Sequence, residues 1–107
     1  MAGGISVHAV DVAQGVPAQG LHVRVLRLDA AGAVCIAEGT LSAQGTLDHP
    51  VVRGEGVQAG THEVHFLVGD WWRQRQSPAQ RFFQEVMVFR FEVADTQPHF
   101  HLPIKFT

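Results

Sequence analysis

The sequence predicts an all-β sandwich carrying one short helix. Three observations lead there: apolar and polar residues alternate with period two in most segments, Gly- and Pro-containing turns separate those segments at short intervals, and only one stretch carries helix start and stop signals.

The first run, Ile5-Ser6-Val7-His8-Ala9-Val10, sends Ser6, His8 and Val10 to one strand face and Ile5, Val7 and Ala9 to the other; Asp11 and the Gly15-Val16-Pro17-Ala18 turn close it. From Leu21 to Leu28, Leu21, Val23 and Val25 alternate with His22, Arg24 and Leu26, and Asp29-Ala30-Ala31-Gly32 ends the strand. The turn before Ala33-Val34-Cys35-Ile36-Ala37-Glu38 is short enough for a hairpin. Gly39 to Gly45 reads as a loop, followed by a short strand from Leu47 to Val52 and a turn at Arg53-Gly54-Glu55-Gly56. Thr61 to Val68 sets Val64, Phe66 and Val68 against Glu63 and His65, the pattern of a half-buried antiparallel strand. Asp70 is expected to cap a helix over Trp71 to Ser77 by accepting amide protons of its first turn, and Pro78 to end it. Glu85 to Val93 alternates again, and Ala94-Asp95-Thr96-Gln97-Pro98 turns it into the last run, where His99, His101 and Lys105 oppose Phe100, Leu102, Ile104 and Phe106.

A chain of 107 residues is expected to form a single domain over 1–107. Its composition, 46% hydrophobic and 17% charged, is that of a folded globular protein, and a net charge of -2 leaves no electrostatic footprint for nucleic acid or an anionic membrane. No nucleic-acid or membrane partner is therefore expected. No apolar run reaches the length of a membrane span, and Met1-Ala2-Gly3-Gly4 does not read as the start of a secretory signal. One cysteine, Cys35, cannot form an internal disulfide, so a reducing, cytoplasmic setting is expected; its apolar surroundings suggest a buried, inert thiol.

Seven histidines stand out in so short a chain. His8 and His101 are the candidate catalytic pair, because each lies in a terminal strand and neutral imidazole can activate water near neutral pH. Spacing alone favours both being strand histidines satisfied by polar neighbours. His99-x-His101 could share a face as a metal pair, but two imidazoles do not complete a site and no CxxC or carboxylate cluster stands nearby, so neither metal nor cofactor is expected. His62 and His65 fall on opposite faces and are expected at the surface. Trp71-Trp72 and Phe82-Phe83 are expected to pack the helix onto a sheet, and Arg53 to be a solvated charge beside its turn.

Four stretches, in order, carry a family resemblance: His8, Asp11, Gly15, Pro17 and Ala18 in the first; Gly60 to Trp71, with Phe66-Leu67-Val68-Gly69-Asp70-Trp71, in the second; Phe83-Gln84-Glu85-Val86 in the third; and His99-Phe100-His101-Leu102-Pro103 in the last. In these motifs the chain resembles the transthyretin-like 5-hydroxyisourate hydrolases. The resemblance implies a sandwich of two four-stranded sheets with one short helix, and a homotetramer. It also implies hydrolytic opening of 5-hydroxyisourate to 2-oxo-4-hydroxy-4-carboxy-5-ureidoimidazoline in purine catabolism, without cofactor. In that family the histidines matching His8 and His101 line a channel where two dimers meet, and one of them activates the attacking water.

Two features depart from the family pattern. Thr46 stands where the hydrolases carry an arginine, in the segment Thr40-Leu41-Ser42-Ala43-Gln44-Gly45-Thr46, and a hydroxyl cannot replace a planar fork of charged donors for a urate-like anion. The family's Tyr-Arg-Gly-Ser ending has no counterpart up to Thr107. Thr46 and His99 are therefore the secondary candidates for touching a small-molecule substrate. Weak or absent hydrolysis is expected, and the alternative is a divergent transthyretin-like module that binds a small molecule or acts on another small cyclic substrate.

Overall fold

The computed structural model describes residues 3–75 and 84–106. Seven strands are present among these residues: β1 (Ile5–Asp11), β2 (Val16–Pro17), β3 (His22–Asp29), β4 (Gly32–Thr40), β5 (Gly60–Phe66), β6 (Met87–Val93) and β7 (Phe100–Phe106); one helix, α1 (Val68–Arg75), follows β5. They form a three-stranded sheet in the order β2-β1-β7 and a four-stranded sheet in the order β4-β3-β5-β6. The expected sandwich is therefore present, with three strands instead of four in its first sheet. Part of the edge of β1 is taken by single contacts: β2 covers only Val10 and Asp11, and Thr46 bridges His8.

β1 and β7 pair in parallel over their whole length, from Ile5 opposite Phe100 to Asp11 opposite Phe106. Registered residues share a face, so Ile5, Val7 and Ala9 point inward, where they are almost fully buried. There they join Val23, Val25, Val64, Phe66 and Val93 of the other sheet in one core. Each such aliphatic side chain contributes about 1.5–3 kcal/mol relative to exposure, which is what holds the sheets face to face. Phe91 and Phe100 meet across the sheets with ring centroids 6.0 Å apart.

Four local expectations need correction. The Leu47–Val52 strand is instead a 3-10 turn over Pro50–Arg53. Pro50 has no N–H to give a ladder, His49 Nδ1 accepts the Val51 N–H at 2.9 Å, and Gly54 closes the turn with φ 102°. This turn packs against the start of β1, where Gly4, at φ 92°, lies so close to the Val52 carbonyl that a Cβ would collide with it. The helix begins at Val68, two residues before its expected cap. Asp70 lies in the first turn and pairs with Arg73 at 2.6 Å, while the expected stop at Pro78 and the Phe82-Phe83 pair lie outside the described residues.

Cys35 is exposed, because a bulge beside Val25 and Leu26 shifts the β4 register so that Ala37 takes the inward position. His62, expected at the surface, is completely buried: it shares its face with Val64 and Phe66 and stacks on Phe91 at 5.6 Å. The expected packing of Trp71 and Trp72 is present, both meeting Phe106 edge-on, at 6.0 and 5.9 Å. Trp71 also ties α1 to the first sheet, since its Nε1–H donates to the buried Asp11 carboxylate at 3.2 Å.

Asp11 also accepts the Gln14 amide at 3.2 Å, so Asp11→Ala strips partners from two donors. We expect a loss of about 1–3 kcal/mol, read as a lower urea midpoint with an unchanged slope; an unchanged midpoint would show that α1 is held by apolar packing alone.

His62 makes stability depend on pH. Its Nδ1–H donates to the Gly60 carbonyl at 3.1 Å, while its buried Nε2 has no partner. Burial pushes this imidazole below the ordinary histidine range, with Arg27 adding to the shift and the Gly60 bond and Glu92 opposing it. The unfolded chain thus takes up a proton near pH ~6.5 that the folded chain refuses. Stability should fall as pH drops below about 6.5, by at most about 1.4 kcal/mol per pH unit, and level off once the folded imidazole is also protonated. The carboxyls of Glu38 and Glu63, held below the ordinary value of 4.5 by His and Arg partners, act only at lower pH. His62→Phe, which keeps the stack on Phe91, should flatten the decline between pH about 6.5 and about 5 in denaturation curves. An unaltered decline would assign it to other groups.

Candidate functional site

The outward face of the three-stranded sheet gathers the candidate residues. Parallel pairing places Ser6 opposite His101 and His8 opposite Pro103, with Val10 opposite Lys105 one step further along the same face. On the other side of β1, His8 pairs with Thr46 in an isolated antiparallel bridge. His8, Thr46, His99 and His101 therefore flank one short stretch of β1, although they are as much as 93 positions apart in sequence (101 - 8).

The loop bearing Thr46 is held against β1 by its own turn chemistry. The Ala9 N–H donates to the Gly45 carbonyl at 3.0 Å, and Gly45, at φ 79°, sits so near the Ala9 carbonyl that a Cβ would stand 2.6 Å from it. Only glycine fits this approach. The Ser42 amide donates to the Thr46 carbonyl at 2.8 Å, and the Ser42 and Thr46 hydroxyls share a hydrogen bond of 2.8 Å. The position expected to carry a substrate contact is thus directly across from His8, with its hydroxyl engaged by Ser42.

Backbone carbonyls orient two of the imidazoles. His8 Nε2 lies 3.1 Å from the Gln44 carbonyl oxygen; that oxygen only accepts, so Nε2 carries the proton and neutral His8 has its lone pair on Nδ1. His99 Nδ1 lies 2.5 Å from the Gly3 carbonyl, which makes Nδ1 the donor there as well. Ser6 Oγ stands between His101 of β7 and His99 just before it, 2.7 Å from His101 Nδ1 and 2.8 Å from His99 Nε2. Such a surface can accept a proton from water at imidazole nitrogens and offer hydroxyl and amide-derived dipoles to a small polar ligand.

Ser6 and the Gln44 carbonyl escaped the sequence reading. Alternation put Ser6 on the face of His8, but only the pairing of β1 with β7 sets it between two imidazoles. Arg53 is not part of this cluster: it lines a separate cleft of about 380 Å³ with Asp48, His49 and Val52, around the 3-10 turn at the start of β1. His22 and His65 belong to the opposite sheet, where Glu38 accepts from His22 and Arg24, each at 2.8 Å, and Glu63 accepts from His65 and Arg90, each at 2.8 Å. Among the described residues, no group of three or more His, Cys, Asp or Glu side chains is placed to hold a metal ion.

Comparison with known proteins bears on the same features. Residues 5–107 match the HIUase/Transthyretin family. A 5-hydroxyisourate hydrolase of Deinococcus radiodurans is 31% identical over 104 residues, covering 97% of this chain and 87% of that protein. In fold, transthyretin from Sparus aurata superposes with a TM-score of 0.84 at 23% identity, over 98% of this chain and 89% of the other. The 5-hydroxyisourate hydrolase of Klebsiella pneumoniae gives 0.74 at 22% identity, over 95% and 87%. With the family match spanning both histidine-bearing terminal strands, the chain belongs to the HIUase/transthyretin family.

Proposed function

We propose that this chain opens the ring of 5-hydroxyisourate by hydrolysis, using His8 and His101 to position and activate water, with no cofactor. The observation that carries the reading is the convergence of these two imidazoles with Thr46 on one sheet face. Hydrolytic ring opening of a cyclic acylurea needs a base for water and donors for the developing oxyanion. His8 Nδ1 is free of the Gln44 contact and so is available as a base. The donor side is weaker. Thr46 offers a neutral hydroxyl already shared with Ser42, and the cation nearest in register on this face is Lys105, two residues beyond Pro103. One missing oxyanion donor typically costs ~10²–10³ in turnover, so turnover is slow.

The shared Ser42–Thr46 hydrogen bond also favours a second reading, a transthyretin-like module that binds a small cyclic molecule without this chemistry. The decay of freshly generated 5-hydroxyisourate separates the two. Slow acceleration by the unmodified chain, loss of it in His8→Ala and His101→Ala, and a gain of at least about tenfold in Thr46→Arg would support the hydrolase. Decay at the protein-free rate with both the unmodified chain and Thr46→Arg would favour the binding module.

The proposal includes a cytoplasmic homotetramer of single-domain subunits in which this sheet face lines a channel between dimers. Among the described residues no helix is long and apolar enough to cross a membrane. Support for assembly comes from the four-stranded sheet, where β6 is the outermost strand among the described residues and Val86, Val88 and Phe89 are exposed. Such an edge calls for a covering strand. Light scattering at micromolar concentration should show a tetramer, and Val88→Lys should shift it toward smaller species. A monomer throughout would reject a channel shared between subunits.

A further inference from the structure

We propose that Ser6 is a positioning residue that fixes which nitrogen of His101 can take a proton. This inference rests on the hydrolytic reading for its catalytic meaning, and on geometry alone for its structural content.

Hydrogen-bond direction can be followed from a fixed end. The Gly3 carbonyl has no proton to give, so His99 Nδ1 donates to it. Neutral His99 then has its lone pair on Nε2, and the only proton available to that lone pair at 2.8 Å is the Ser6 hydroxyl. With its proton committed to His99, Ser6 Oγ can only accept from His101, at 2.7 Å, so His101 carries its proton on Nδ1. Its Nε2 is left with the lone pair, on an exposed residue of the outer sheet face. Reversing the Ser6 hydroxyl would require His99 to bear protons on both nitrogens. For the neutral pair one arrangement satisfies every contact.

The consequence is a base of defined orientation. His101 Nε2 faces away from Ser6 across the ring, and removing the hydroxyl frees the ring to adopt the Nε2–H tautomer that unconstrained histidine ordinarily prefers. In that tautomer the outer nitrogen is a donor and cannot take a proton from water. Parallel pairing is what makes the device possible, since Ser6 and His101 are registered partners and His99 immediately precedes the first residue of β7, Phe100.

The test uses full-length, uniformly ¹⁵N-labelled chain at pH about 8, above the ordinary histidine range, where long-range ¹H–¹⁵N correlation reads the tautomer of each ring. We expect His101 as Nδ1–H in the unmodified chain, Nε2–H in Ser6→Ala, and Nδ1–H again in Ser6→Thr, which keeps the hydroxyl. Turnover of 5-hydroxyisourate should fall roughly 10- to 100-fold in Ser6→Ala with KM little changed, the size of loss seen when the partner orienting a metal-ligating imidazole is removed, and recover in Ser6→Thr. His101 found as Nε2–H in the unmodified chain, or a tautomer unaffected by Ser6→Ala, overturns the proposal. A Ser6-dependent tautomer in a chain without any turnover upholds the role of Ser6 and rejects the hydrolytic reading instead.

Discussion

The parallel pairing of β1 with β7 is the constraint on which the structure depends. It joins the first strand to the last, and a strand shared between sheet and core on both counts cannot slip by one residue without exchanging its two faces. In the observed register, Ile5, Val7 and Ala9 fill the core beside Leu102 and Ile104, while Ser6 and His8 stand outside with His101. A one-residue slip would bury imidazole and expose isoleucine. Core packing and site assembly are thus enforced by the same register, which ties the geometry of the outward face to the apolar energy of the inward one.

Around this pairing the chain distributes its imidazoles by the contacts each strand face permits. On the four-stranded sheet His22 and His65 are absorbed by the carboxylates of Glu38 and Glu63, which Arg24 and Arg90 also hold. His49 is used as a cap, and His62 is enclosed between the sheets with one nitrogen unpaired. On the outward face of the three-stranded sheet, His8, His99 and His101 are anchored by backbone carbonyls or a hydroxyl. A carboxylate partner would fix charge as well as orientation. Carbonyl and hydroxyl partners fix orientation without adding a charge beside the ring, which suits a group that must accept a proton.

The loop from Ser42 to Thr46 completes this face through backbone, not side-chain, chemistry. Gly45 lets it approach β1, the Gly45 carbonyl takes the Ala9 amide, and the Gln44 carbonyl takes His8. The loop therefore orients His8 through a main-chain carbonyl and not through the Thr46 side chain.

Local signals determined most of the fold: the strands and the faces of β1, β3, β5 and β7 were legible because a period of two is set by local backbone geometry, and the lone helix because Asp70 and Pro78 offered its cap and stop. The family resemblance, not the alternation, favoured His8 and His101 as candidates and marked Thr46 as a departure. Where the strand pattern misled, a local cap or a contact from another strand decided. Pro50 and the His49 cap turned an apolar run into a 3-10 turn, a bulge opposite β3 turned Cys35 outward, and His62, although in phase with Val64 and Phe66, was buried because Phe91 of a distant strand covers it. Ser6 shows the limit most plainly. Its face was readable from Ile5-Ser6-Val7-His8, but its place between His99 and His101 depends on the parallel register of strands at opposite ends of the chain, and no local pattern encodes which strand becomes whose neighbour.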